Sequence, residues 1–192
     1  IAQKDVKRML AYSSIAHAGF LLTGVLALSQ EGLEAALFYL ATYGFSTLGA
    51  FALVTLVRDS SGEVTDLNRW VGLAKRSPGV ALLFATFLLS FAGIPLTSGF
   101  VGKFSIFSAA YESGNTAILI TGVLSSAVAA FFYIHVIVLM FFKDAIEDGT
   151  TVVIPTALTR SVVLVSGVAT ILFGVIPQPL INFINTYSSF IR

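Results

Sequence analysis

Leu89-Ser90-Phe91-Ala92-Gly93-Ile94-Pro95-Leu96-Thr97-Ser98-Gly99-Phe100-Val101-Gly102-Lys103-Phe104 lies inside an apolar run that extends from Pro78 to Tyr111. The run is longer than one straight membrane crossing, which needs roughly 20 apolar residues, and it carries its own breaker. Pro95 removes a backbone donor and clashes with the preceding turn. Gly93 and Gly99 flank it, and Thr97 and Ser98 add hydroxyls, so helix is weak from Gly93 to Gly99. The stretch is either two crossings joined by a turn at Pro95, or one helix broken in its middle.

The rest of the chain is as apolar. Of its 192 residues 56% are hydrophobic and 11% charged, and the mean hydropathy is +0.91. A soluble domain carries about 25% charged residues, so a membrane protein is the expected class. A net charge of +1 implies no polyanion-binding surface, and nucleic acid is not an expected partner. With no cysteine in the chain, disulfides, iron–sulfur clusters and thiolate zinc sites are excluded within it. The first residue is Ile1, and the opening residues make a poor signal peptide; the expectation is a fragment of a longer protein.

Five segments of the sequence can cross a bilayer: 9–29, 33–57, 78–111 with its interruption, 116–142 and 161–176. Together they predict an all-α, polytopic transmembrane helix bundle in which 1–192 is one membrane domain. Loop charges choose between the two readings of 78–111. Lys4, Lys7 and Arg8 precede the first span, Arg58, Arg69, Lys75 and Arg76 lie between the second and third, and Lys143 and Arg160 lie between the last two. The other two loops carry Glu31, Glu34 and Glu112 and no base. One broken crossing puts every basic segment on one side, as the positive-inside rule expects. The N-terminal end is then cytoplasmic, and the C-terminus, Asn185 to Arg192, is outside.

A helix break at membrane depth persists only where protein or a water-filled cavity satisfies the freed backbone groups. In transporters such breaks sit beside ion sites, although a proline kink packed against neighbours gives the same pattern. Lys103 follows the break closely and lies eight residues inside Tyr111, about 12 Å deep at 1.5 Å per residue. A lysine at that depth faces a bundle interior or a water path. Burial opposes the charged form of an amine, which lets such a group exchange protons near neutral pH; the alternative is a lysine held charged by a structural carboxylate.

His17 lies at similar depth in the first span, with Ser13 and Ser14 one turn before it. It suits a proton relay, or equally a neutral histidine bonded across helices. Tyr43, Ser46 and Thr47 give the second span a hydroxyl-bearing face near Gly44 and Gly49, able to line a water path or to pack closely. Lys7, with Lys4 and Arg8, reads as a positive-inside anchor. His135, with Tyr133 close by in sequence, reads as interfacial packing. No phosphate-binding glycine loop, metal-ligand cluster or nucleophile elbow is visible.

Three stretches carry a resemblance. Asp5-Val6-Lys7-Arg8-Met9-Leu10-Ala11-Tyr12-Ser13-Ser14-Ile15-Ala16-His17-Ala18-Gly19-Phe20 resembles the D-x-K-R-hydrophobic-L-A-Y-S-S-hydrophobic-x-H-x-G-aromatic pattern. That pattern marks the antiporter-like membrane subunits of bacterial NADH:quinone oxidoreductase (respiratory complex I) and the Mrp-type cation/proton antiporters. Leu89–Phe104 is similar to the L-S-x-A-G-I-P-x-T-x-G-F-hydrophobic-G-K-F motif of the subunit N branch, and so is the tail Gly174-Val175-Ile176-Pro177-Gln178-Pro179-Leu180. The three span essentially the whole chain in the family's order.

The resemblance implies a fourteen-helix fold with two inverted repeats, of which this chain is the second repeat plus the C-terminal helix, with 78–111 as a discontinuous helix. It places Lys103 on the lysine at the output end of a central chain of ionisable residues, a position held by glutamate in the subunit M branch. His135 departs from the arginine found in many relatives. The implied function is proton translocation in a membrane-arm subunit, in the bacterial inner membrane, beside the other membrane-arm subunits and lipid. NADH, FMN, iron–sulfur clusters and quinone would be bound by partner subunits, with no cofactor and no independent catalytic site in this chain. The rivals are a subunit of an Mrp-type antiporter or membrane-bound hydrogenase, and a structural spacer.

Overall fold

The computed structural model of the protein describes residues 3–144 and 150–188. Ile1, Ala2 and the last four residues of the Asn185–Arg192 tail lie outside the described residues. Helix α1 spans Val6–Val25, α2 Gln30–Val54, α3 Leu73–Arg76, α4 Pro78–Ala92, α5 Ser98–Glu112, α6 Thr116–Phe142, α7 Ala157–Val175 and α8 Gln178–Tyr187. Three short strands, β1 (Val57–Asp59), β2 (Gly62–Glu63) and β3 (Thr151–Val152), form a sheet in the order β2-β1-β3.

Local chemistry sets the boundaries. The Asp5 carboxylate accepts the Arg8 amide at 2.8 Å, an N-cap that starts α1 one turn before the apolar run at residue 9. Ser29 caps α2 in the same way through the Gly32 amide. Pro78 occupies the first turn of α4, where its missing N–H costs nothing. Pro177 and Pro179 make α8 a separate helix rather than an extension of α7.

Helices α2, α6 and α7 are each long and apolar enough to cross a membrane. Helices α4 and α5 have 15 residues each, about 22 Å apiece, so only together do they match a core of about 30 Å. Their contacts with α2 run in one direction. Ser46 meets Ser90, the Tyr43 ring lies tilted against Phe91, Tyr39 lies against Gly102, and Ala35 and Tyr39 pack with Ile106. Falling numbers on α2 meet rising numbers on α4 and then α5, so the chain does not turn back at Pro95.

One end of the bundle carries a folded cap, where sequence reading gave only charged loops. Strand β1 pairs with β2 and with β3, matching Val57 to Val152. The Val6 amide donates to the Thr65 carbonyl, and the Leu67 amide donates to the Lys4 carbonyl. Trp70 is fully buried, and its indole donates to the Val64 carbonyl at 2.9 Å. These bonds put the N-terminal stub, the segment before α4 and the segment before α7 at the same end. At the opposite end α8 meets α2, where the Gln30 side chain donates to the Ser188 carbonyl at 2.8 Å.

Candidate functional site

The α4–α5 break is built by reciprocal capping. Helix α4 ends in a Schellman turn: Gly93 has φ 81°, its amide donates to the Ser90 carbonyl, and the Ile94 amide donates to the Leu89 carbonyl. A helix leaves its last four carbonyls without intrahelical partners, and this turn engages two of them. The carbonyls of Phe91 and Ala92 then receive Lys103, whose Nζ donates at 2.7 Å and 3.4 Å. In return α4 caps α5: the Ser90 hydroxyl accepts the Gly99 amide at 3.1 Å. Thr97 donates to the Ile94 carbonyl inside the break at 2.7 Å, whereas the Ser98 hydroxyl is buried without a partner among the described residues.

Lys103 is 4% exposed. Its ammonium also donates to the Ser126 hydroxyl of α6 at 2.9 Å and sits 4.7 Å from the centre of the Phe20 ring, within cation–π range. None of the ion pairs among the described residues includes Lys103, so its charge is met by neutral oxygens and a ring. With helix weak through Gly99, the sequence predicts a second half-helix that opens near Phe100 and puts Lys103 in its first turn, at a positive helix end. The structure differs: α5 starts at Ser98, Lys103 falls in the second turn, and its side chain reaches back to the negative C-terminal end of α4. That end attracts a cation, so the helix-dipole effect on Lys103 has the sign opposite to the expected one.

His17 is 1% exposed and is held between two tyrosines. Its Nδ1 is 2.5 Å from the Tyr39 hydroxyl, and its Nε2 is 3.2 Å from the Tyr133 hydroxyl. The Tyr43 ring stacks on the imidazole at 4.4 Å and donates its own hydroxyl to Ser14 at 2.8 Å. Ser13 and Ser14 both donate back to the Leu10 carbonyl. No hydrogen bond among the described residues joins His17 to Lys103. Phe20 and Phe91 mediate instead: each ring lies within 6 Å of the imidazole, while the Phe20 ring and the Phe91 carbonyl both contact the ammonium.

The other expected residues lie apart from this centre. Lys7 pairs with Glu63 in the cap, ten residues and about 15 Å along α1 from His17. Ser46 bonds to Ser90 and Thr170, and the buried Thr47 hydroxyl has no partner among the described residues. His135 is exposed and stacks on Phe131. Sequence reasoning missed Tyr39, Tyr133, Ser126 and Ser90. Among the described residues no cluster of histidine, cysteine or carboxylate side chains could hold a metal ion.

Of the cavities around the centre, two lie toward the ends of the bundle. One of about 190 Å³ is lined by Gln3, Tyr12, Ser13, Leu67, Tyr133 and His135 and reaches the cap end. The other, about 290 Å³, holds Glu31, Glu34 and Glu112 with Ser105, Ser108 and Asn185 at the opposite end, along the helix that carries Lys103.

Known proteins share both the sequence and the fold. Residues 1–129 match the family described as NADH:quinone oxidoreductase/Mrp antiporter, TM. A protein of Rhodococcus opacus named NADH-quinone oxidoreductase subunit N is 56% identical over the whole chain, and one of Streptomyces griseus, subunit N 3, is 57% identical. The chain spans 36% and 35% of their lengths. Respiratory complex I from Thermus thermophilus contains a chain that superposes with a TM-score of 0.80 at 32% identity, covering 94% of this chain and 40% of that one. The Mrp complex of a Dietzia species gives a TM-score of 0.84 at 22% identity over 98% of this chain and 43% of that one, a likeness of fold alone. The chain belongs to the NADH:quinone oxidoreductase/Mrp antiporter transmembrane family.

Proposed function

We propose that this chain forms the output half of a proton-translocating membrane-arm subunit of a bacterial NADH:quinone oxidoreductase, with Lys103 as the group that takes and releases the proton. The observation that carries this reading is a buried ammonium held at a helix break by neutral acceptors, with no carboxylate among the described residues paired to it. The relatives named NADH-quinone oxidoreductase subunit N, at more than half identity, favour this complex over an Mrp antiporter. Electron transfer takes place in other subunits, which bind NADH, FMN, iron–sulfur clusters and quinone. This chain holds no independent catalytic site, and its partners are the other membrane-arm subunits and lipid.

The chain crosses the inner membrane five times: α1, α2, the α4–α5 pair as one discontinuous crossing, α6 and α7. The basic cap faces the cytoplasm and α8 lies outside. A proton reaches the centre through the cavity beside Ser13 and Tyr133, with His17 and its tyrosines as a supporting relay. Lys103 binds it, and release runs toward the carboxylates of Glu31, Glu34 and Glu112 on the outer side. Hydration around the Phe20 and Phe91 rings connects or isolates the two groups. The test is NADH-driven proton uptake by inverted membrane vesicles that carry Lys103→Ala in the full-length subunit. Lost uptake with NADH oxidation retained supports the reading, and normal coupled uptake defeats it.

A further inference from the structure

Four hydrogen bonds run from the α4–α5 break to α7. The Gly99 amide is 3.1 Å from the Ser90 hydroxyl, Ser90 is 3.2 Å from Ser46, Ser46 is 3.0 Å from Thr170, and Thr170 is 2.8 Å from the Ser166 carbonyl. All three hydroxyl residues are buried, at 3%, 1% and 0% exposure for Ser90, Ser46 and Thr170. A hydroxyl has a single hydrogen. Thr170 uses its own on a carbonyl, which cannot donate, so toward Ser46 it can only accept. Ser46 therefore donates to Thr170 and accepts from Ser90. Ser90 donates to Ser46 and accepts the Gly99 amide. Counting protons thus fixes the direction of every bond, and bonds ordered in one sense polarise one another.

A second contact joins the same two elements. Gly174 follows Thr170 by four residues, on the same face of α7. A Cβ at Gly174 would lie 2.4 Å from the Thr97 carbonyl carbon and 2.5 Å from the Leu96 carbonyl oxygen. Helix α7 therefore grips the break at two heights, through a hydroxyl chain and through a backbone contact that admits no side chain.

We propose that Thr170, acting through Ser46 and Ser90, is a positioning residue for Lys103. The chain fixes the first turn of α5 against α4, and that placement sets how far the Lys103 ammonium sits from the Phe91 and Ala92 carbonyls. Helix α7 is then part of the proton-exchange machinery although it contributes no titratable group at that depth. Among the described residues, the titratable side chains around the site are His17 on α1, Tyr39 and Tyr43 on α2 and Tyr133 on α6; α4 and α7 present carbonyls and hydroxyls. The proposal rests on Lys103 being the exchanging group.

The test measures protons pumped per NADH oxidised against pH in the assembled complex, with Thr170→Val, Thr170→Ser, Ser90→Ala and Lys103→Ala compared. Valine keeps the shape of threonine and removes the acceptor. Thr170→Val and Ser90→Ala are expected to retain NADH oxidation, lower the proton ratio and move the midpoint of its pH profile by about half a unit, a roughly threefold change in proton affinity. Thr170→Ser is expected to restore both. Profiles for Thr170→Val and Ser90→Ala that superpose on wild type, beside a Lys103→Ala complex that does not pump, overturn the positioning role and leave the Lys103 reading standing. Normal pumping by Lys103→Ala removes the premise instead. Should Thr170→Val not assemble, Ser90→Ala decides: a shifted midpoint supports the proposal, and a wild-type profile overturns it.

Discussion

The Lys103 ammonium lies 2.7 Å from the carbonyl oxygen of Phe91, on the other side of the break that separates their helices. This contact makes one group both the C-cap of α4 and the proposed proton carrier. An ammonium has three N–H donors, and the Phe91 carbonyl, the Ala92 carbonyl and the Ser126 hydroxyl present three acceptors. A neutral amine has two donors and a lone pair. Loss of the proton leaves two donors for the two carbonyls, turns the Ser126 hydroxyl from acceptor to donor toward the lone pair, and removes the charge that the end of α4 attracts. The geometry of the break and the protonation of Lys103 are coupled through the same atoms.

Substitution at Lys103 separates the two roles. Lys103→Ala orphans buried carbonyls at a cost of about 1–3 kcal/mol and removes the exchanging group, so stability and pumping both fall while the complex still assembles. Lys103→Arg supplies donors for the carbonyls but holds its proton permanently. It should recover thermal stability without recovering proton uptake. Stability is read from the thermal unfolding of the purified complex, and uptake from a pH dye in inverted vesicles. An arginine variant that pumps normally excludes proton release from this side chain.

His17 should prove supportive. It touches two tyrosine hydroxyls and no charged group by hydrogen bond, and water can replace one member of a relay at little enthalpic cost. His17→Ala is expected to keep roughly half of wild-type coupled pumping, with a further fall when Tyr133→Phe is added. Coupled proton uptake in vesicles measures both. A loss as deep as that of Lys103→Ala would move the essential step from Lys103 to His17.

The break and Lys103 were legible because each violates a local rule: a proline between glycines in an apolar run, and a charge at membrane depth. The partners of Lys103 and His17 were not. Ser126, Tyr39 and Ser90 are ordinary residues for any transmembrane face, and their roles arise only where helices distant in sequence cross. Tyr133 had a readable signal. Ser126, Ala129, Tyr133, Val136 and Met140 repeat at intervals of three and four residues, and the last four are the buried residues of α6. Reading Tyr133 with His135 missed this, because residues two apart point to nearly opposite sides of a helix. The cap was hidden for another reason: its strands have two or three residues, too few for a period to register.

The cap should loosen only in strong acid. Asp59 accepts from the Ser61 hydroxyl and from Arg69, and these bonds, with the Ser61 amide, hold its carboxyl below the ordinary value of 3.8. A depressed carboxylate contributes stability above its unfolded value and loses it as pH falls through the folded one. The protection of the amides of residues 57–63, taken relative to intrinsic exchange at each pH, should therefore be flat from neutrality down to about pH 4 and fall below it. Asp59→Asn should remove that dependence and raise exchange throughout. Protection that declines between pH 7 and 5 would point to a different titrating group.

The break itself can be tested with a methyl group. Alanine is preferred over glycine inside a helix by about 1 kcal/mol, and Gly99 lies in the first turn of α5, so propensity alone makes Gly99→Ala favourable. Packing decides otherwise. A Cβ at Gly99 would fall 1.9 Å from the Ser90 carbonyl oxygen and 2.7 Å from its carbon, and both are backbone atoms that no rotamer change can move. Gly44 on α2 is the control, because a Cβ there meets nothing within 4 Å. Overpacking a tight contact costs typically 1–3 kcal/mol, and the relief available here is separation of α4 from α5. That separation stretches the Gly99–Ser90 bond and draws Lys103 away from Phe91 together. Gly99→Ala should thus lower the thermal stability of the assembled complex and reduce protons pumped per NADH, whereas Gly44→Ala should do neither. Identical behaviour of the two variants would mean that the halves of the broken helix are not in the close contact on which the coupling of Lys103 to the break depends.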